Sequence, residues 1–108
     1  MYRAAVPARE PAHCGMSIPG GGVVTDAQLE AFVVEVVEPR FPDGFTLWRA
    51  RGAWMGGRED TTVIEIAHPG DATSKRLIQE IATEYARRFH QTAVLRMTVP
   101  ARIDFISG

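Results

Sequence analysis

The sequence predicts an α+β domain on the ferredoxin-like βαββαβ plan, an antiparallel sheet with two helices on one face. Three observations carry that expectation. Apolar residues recur at helical spacing twice, at Leu29, Phe32, Val33, Val36 and Val37 and again at Leu77, Ile78, Ile81, Ala82, Tyr85 and Phe89. Two runs rich in aromatic and β-branched residues lie between them, separated by a glycine-containing reversal. A further extended run follows the second helix, so both helices can bury their stripes on one side of a single sheet.

Size and charge bound what such a domain does. The chain has 108 residues, enough for one hydrophobic core, and it reads as one soluble domain over residues 13–108 behind a flexible segment 1–12. Twelve Lys and Arg against thirteen Asp and Glu leave a net charge of -1, so neither nucleic acid nor an anionic membrane surface is an expected partner. The lone Cys14 cannot form an internal disulfide. Pro7, Pro11 and Pro19 break the opening run, which holds no apolar leader, and a cytoplasmic location is expected. Cys14-Gly15 lacks the hydrophobic leader that a lipoprotein site requires.

A weak first strand falls around His13 to Ile18, and Ile18-Pro19-Gly20-Gly21-Gly22 is a loop by composition. Thr25 and Gln28 have capping-box spacing and start the first helix, which Pro39 ends near Glu38. Pro42-Asp43-Gly44 makes a tight turn. Phe45 to Met55 reads as a strand, with Gly52 a candidate bulge. The polar reversal Gly56 to Asp60 leads into a second strand over Thr61 to His68. Asp71, Thr73 or Ser74 caps the second helix. Ala93 to Val99 forms the last strand, interrupted by Pro100 and resumed from Ile103 to Ile106.

With Ile64, Ile66, Leu95 and Met97 turned toward the helices, the uncovered face carries Val63, Glu65, Ala67, Val94, Arg96 and Thr98. Either Trp48 or the pair Arg49 and Arg51 joins them, because both parities of that strand are plausible. An apolar sheet face is a poor match for solvent, so a homodimer through this face is expected. The candidate ligand-binding residues are Arg96, Glu65, Trp48, Arg49 and Arg51. Arg96, helped by Arg49 or Arg51, suits a small anionic ligand such as a carboxylate or phosphate. Trp48 and Trp54 suit a flat aromatic one. Glu65 and Arg96 equally read as a cross-strand ion pair.

Other chemistry is thin. His13, His68, His90 and Cys14 sit on three segments without ligand spacing, so no metal is expected. The triglycine before the first helix lacks the following Lys-Ser/Thr of a phosphate loop, and no GxGxxG is present, so no cofactor is expected. Asp43 in the Arg40 to Gly44 loop reads as a turn residue beside a buried Phe41. The Gln91 amide reads as a brace between the second helix and the last strand. No residue presents itself as catalytic.

Two stretches, Pro39-Arg40-Phe41-Pro42-Asp43-Gly44-Phe45-Thr46 and the pattern FxQxxVLR formed by Phe89, Gln91, Val94, Leu95 and Arg96, resemble the uncharacterised bacterial family called domain of unknown function 3574. Ile18 to Gly22, Gly52-Ala53-Trp54 and Arg58-Glu59 extend the resemblance over roughly residues 13 to 106. His13-Cys14-Gly15-Met16 departs from the family's aromatic-rich segment ending in Gly. The resemblance implies no activity, cofactor or catalytic residue. Family members often carry export or lipoprotein leaders, which implies a periplasmic or envelope location where a leader has been removed. The expected function is that of a small dimeric ligand-binding or interaction module using the open sheet face. The alternative, an enzyme of the dimeric α+β barrel type acting on a small organic substrate, rests on fold analogy.

Overall fold

The structure, a computed structural model, describes residues 5–108 apart from the Trp54 side chain, so the expected stacking role of Trp54 lies outside the described residues. Strand β1 is Ala8–Gly15, β2 Thr46–Trp54, β3 Gly57–His68, β4 Leu95–Arg96 and β5 Val99–Pro100. The first helix, α1, runs as Asp26–Phe32, a π-helical stretch Val33–Val37 and a last turn Glu38–Arg40, and the second, α2, is Ala72–Arg88. The strands form one antiparallel sheet in the order β2-β3-β1-β4, with β5 also on β1. The architecture is α+β.

Local chemistry sets the helix boundaries. Thr25 Oγ1 accepts from the Gln28 amide at 3.1 Å while Gln28 Oε1 accepts from the Thr25 amide at 2.9 Å, closing the expected capping box. Pro39 does not end α1 as expected. The Glu38 amide bonds back to the Val33 carbonyl, and the Arg40 guanidinium caps the Val36 carbonyl at 2.9 Å, so the helix runs to Arg40, one residue past the imino acid. Asp71 caps α2 by accepting from the Ser74 amide at 3.0 Å.

The first strand differs most from expectation. It begins at Ala8, so residues 8–12, read as flexible lead-in, form most of a central strand. Pro11 sits in the middle of it. The Met97 amide donates to the Pro11 carbonyl at 3.2 Å, which turns the missing Pro11 N–H toward the same neighbour. β4 and β5 share one register on β1, and their ladder breaks opposite Pro11. The β1–β3 ladder is unbroken from Ala8↔His68 to Gly15↔Thr61. The expected interruption at Pro100 therefore belongs to Pro11, and residues 103–106 form no strand.

β2 and β3 also pair without interruption, Gly52 opposite Glu59, so Gly52 is no bulge. The reversal is shorter than expected: Met55 (φ 50) and Gly56 (φ 80) alone join the strands, both with the positive φ of a type I′ turn. Residues 57–60 consequently extend β3.

Register fixes which side chains share a face. Leu47, Ile64, Ala12 and Arg96 form one cross-strand row, and Trp48, Val63, His13 and Leu95 form the next. The first row points at the helices. Ile64 and Ile66 join Phe32, Val36, Val37, Ile78, Ile81, Tyr85 and Phe89 in one core, with Phe32, Tyr85 and Phe89 ring centroids 4.8–6.1 Å apart. Leu95 and Met97, expected in that core, are 56% and 40% exposed on the other side, while Val94 packs against it. The parity of the last strand is thus opposite to the one expected.

Candidate functional site

Three places gather polar or exposed apolar side chains. The first lies inside the covered half of the sheet. Glu10 on β1 is 1% exposed and His68 at the end of β3 is 4% exposed. Glu10 Oε1 lies 3.0 Å from His68 Nε2, and Oε2 accepts from Arg96 Nε at 2.6 Å. The Gly70 amide donates to His68 Nδ1 at 2.9 Å, so the ring proton belongs on Nε2, directed at Glu10. Arg96 also reaches the Gln79 amide oxygen at 3.3 Å and the Lys75 carbonyl at 3.2 Å. Burial alone would raise the Glu10 carboxyl. The hydrogen bonds from Arg96 and His68, together with the Arg96 charge, outweigh it and hold the group below its ordinary value of 4.5.

This network ties β1, β3, β4 and α2 together and leaves no buried side-chain nitrogen or oxygen unpaired among the described residues. It corrects two expectations. Arg96 does not stand on the open face, because a buried carboxylate on the opposite strand needs its charge. Nor does it pair with Glu65, which instead accepts from Arg9 Nη1 at 2.6 Å on the far side of the sheet.

The second place is a groove of about 440 Å³ beyond the helices, where the β2–β3 hairpin meets the loop after β1. Arg49, Arg51, Arg58, Glu59 and Asp60 line it with Met16, Val23 and Val24. Arg49 and Arg51 share the helix-side parity, so of the two alternatives the open face receives Trp48. Arg49 pairs with Asp26. Glu59 accepts from the Ser17 amide at 3.2 Å, and a side chain at Gly15 would displace the Glu59 carboxylate and the Gln91 amide. Gln91 braces the same corner, donating to the Ser17 and Phe89 carbonyls at 2.8 and 3.1 Å, and so ties the end of α2 to the loop after β1 and not to the last strand as expected. Tyr85 adds a bond from its hydroxyl to the Gly15 carbonyl at 2.6 Å.

The third place is the open face, with Trp48 41%, Leu95 56% and Met97 40% exposed around the buried Val63. Glu65 and Arg9 lie beside them. Of the five expected site residues, Trp48 and Glu65 are here, Arg49 and Arg51 line the groove, and Arg96 is in the buried network. No single site unites them.

The remaining chemistry-bearing residues are dispersed. Cys14 faces the core, where burial pushes its thiol up to about 12, so it is a packed apolar group rather than a nucleophile. His13 is on the opposite face of the same strand, and among the described residues no three His, Cys, Asp or Glu side chains converge as metal ligands. Phe41 packs against the core as expected, and the Gly44 amide closes the turn onto the Phe41 carbonyl at 3.2 Å. Asp43 makes no side-chain hydrogen bond among the described residues. Among those residues no helix is long and apolar enough to cross a membrane.

Sequence reasoning missed Glu10 entirely. Its signal was alternation: Ala8, Glu10, Ala12 and Cys14 share one parity, which makes Glu10 a charged residue in a core row. The prolines on either side concealed it.

Comparison with curated proteins and with solved structures gives no match. The family model described as Protein of unknown function (DUF3574) matches residues 12–105, which span β1 from its middle, both helices, the hairpin and the last strands. The chain belongs to that family, Protein of unknown function (DUF3574).

Proposed function

We propose that this protein is a small interaction module of the ferredoxin-like plan that pairs with a second copy of itself through the open sheet face. The strand order β2-β3-β1-β4 and the burial of both helical stripes in one core support the plan. The observation that carries the pairing is the exposure of Trp48, Leu95 and Met97 together on the side no helix covers. About a twofold axis each patch meets its own copy, so one sequence supplies both halves. Light scattering over a dilution series tests this. A dimer at tens of micromolar supports the reading, and a monomer there overturns it.

One observation favours a second binding role. The groove brings Arg49, Arg51 and Arg58 together, and Arg51 and Arg58 form no ion pair among the described residues. A small carboxylate or phosphate is the ligand such guanidinium groups suit. Calorimetric titration with inorganic phosphate and with citrate, on the wild type and on Arg51→Gln/Arg58→Gln, tests it. Binding lost in the double variant supports the role, and no heat in the wild type refutes it.

A further inference from the structure

We infer that the segment 102–106 of one copy crosses onto the open face of the other and supplies apolar contacts that complete the interface. This inference rests on the pairing proposed above and names the part of the partner that docks. Phe105 and Ile106 are 96% and 92% exposed, far more than Trp48 or Leu95 and beyond what a folded chain normally grants a Phe. The last backbone bond along this edge runs from the Ala101 amide to the Pro7 carbonyl at 3.0 Å. Beyond it the chain leaves the sheet edge with Arg102 and Asp104 paired to each other at 3.0 Å, which leaves Phe105 and Ile106 as the segment's contact groups.

Reach and shape agree with that destination. Phe105 is four residues past Ala101, a span of up to about 14 Å when extended. Two sheets packed face to face stand about 10 Å apart. Phe105 of one copy therefore has enough chain to cross the gap onto the other's open face. A protruding apolar segment and an uncovered apolar face in one chain are complementary in a symmetric pair, and exchange satisfies both twice.

Sedimentation equilibrium on the full-length chain separates this inference from the pairing itself. Three proteins are compared: wild type, Phe105→Ser/Ile106→Ser, and Trp48→Arg, each checked by circular dichroism for a retained fold. A dimeric wild type, a monomeric Trp48→Arg and at least a tenfold weaker dimer for the double variant are the expected results. An unchanged dissociation constant for the double variant, with Trp48→Arg monomeric, overturns the segment's role and leaves face pairing standing. A wild type that is monomeric at tens of micromolar, or a Trp48→Arg that dimerises normally, overturns both. Phe105→p-benzoylphenylalanine gives a readout that does not depend on stability. Irradiation should join two copies, with the link mapping to the peptides that carry Trp48 or Leu95, and a link confined to one chain contradicts the exchange.

Discussion

The two faces of the sheet are built from alternating residues of the same strands and have opposite characters. On the covered face, Glu10, His68 and Arg96 are charged or polar yet joined through the Glu10 carboxylate, and Ile64 and Ile66 seal the space beneath the helices. On the open face, one residue along each strand, Trp48, Leu95 and Met97 are apolar yet 40–56% exposed. The charged groups of the covered face are thus paired inside, whereas the open face leaves apolar surface in solvent beside its Arg9–Glu65 pair. The covered face has the marks of a structural strut, and the open face is the surface proposed to pair.

The comparison breaks most visibly through truncation of matched residues. Ile64→Ala should lower unfolding free energy by about 2 to 5 kcal/mol in urea titration, since Ile64 is 0% exposed and its loss opens a cavity. Leu95→Ala, measured below the pairing concentration, should stay within about 0.5 kcal/mol of wild type because that side chain is half in solvent. Equal losses at the two positions would mean that the faces are not distinct.

Removing a charge from the network ranks next. Arg96→Met should cost about 2 to 4 kcal/mol by the same titration, below the full penalty for orphaning a buried charge because Arg96 itself reaches solvent. A neutral result would return Arg96 to the role of a surface ligand anchor. The pH dependence gives the sign independently. A carboxyl held below 4.5 in the folded state stabilises the fold at pH values above 4.5, and that stabilisation is lost as pH falls through the folded value. Wild type should therefore lose stability on acidification below about pH 4.5 more steeply than Glu10→Gln. Parallel curves would show that Glu10 is not the group responsible.

Tyr85→Phe is a smaller test. Deleting the hydroxyl that donates to the Gly15 carbonyl should cost about 1 kcal/mol and leave the aromatic packing of Phe32 and Phe89 in place.

Both helices and the hairpin were legible because their signals are local: a capping box at Thr25 and Gln28, 3.6-residue stripes, and β-branched runs around a glycine turn. The failures came where a distant partner decides. Pro11 reads as a breaker in isolation, and it is tolerated in a central strand because its missing N–H faces β4, whose two-residue ladder absorbs the gap. Once that strand was misplaced, Glu10 had no face and Arg96 had no visible reason to turn inward. A two-residue β4 also carries too little alternation to set its own parity, which is why Leu95 and Met97 were assigned to the core. The groove was half legible. Arg49 and Arg51 stood out as charges in an apolar strand, but Arg58 joins them only through the hairpin register.

The most direct test of an open face covered by a second copy is oxidative footprinting of Met97 and Trp48 at high and low protein concentration. Met55, 89% exposed at the hairpin tip, serves as the internal reference. Oxidation of Met97 and Trp48 relative to Met55 should be suppressed severalfold at tens of micromolar and recover on dilution. Relative rates that stay constant across the whole concentration range, with Met97 reacting as freely as its 40% exposure allows, would contradict the account.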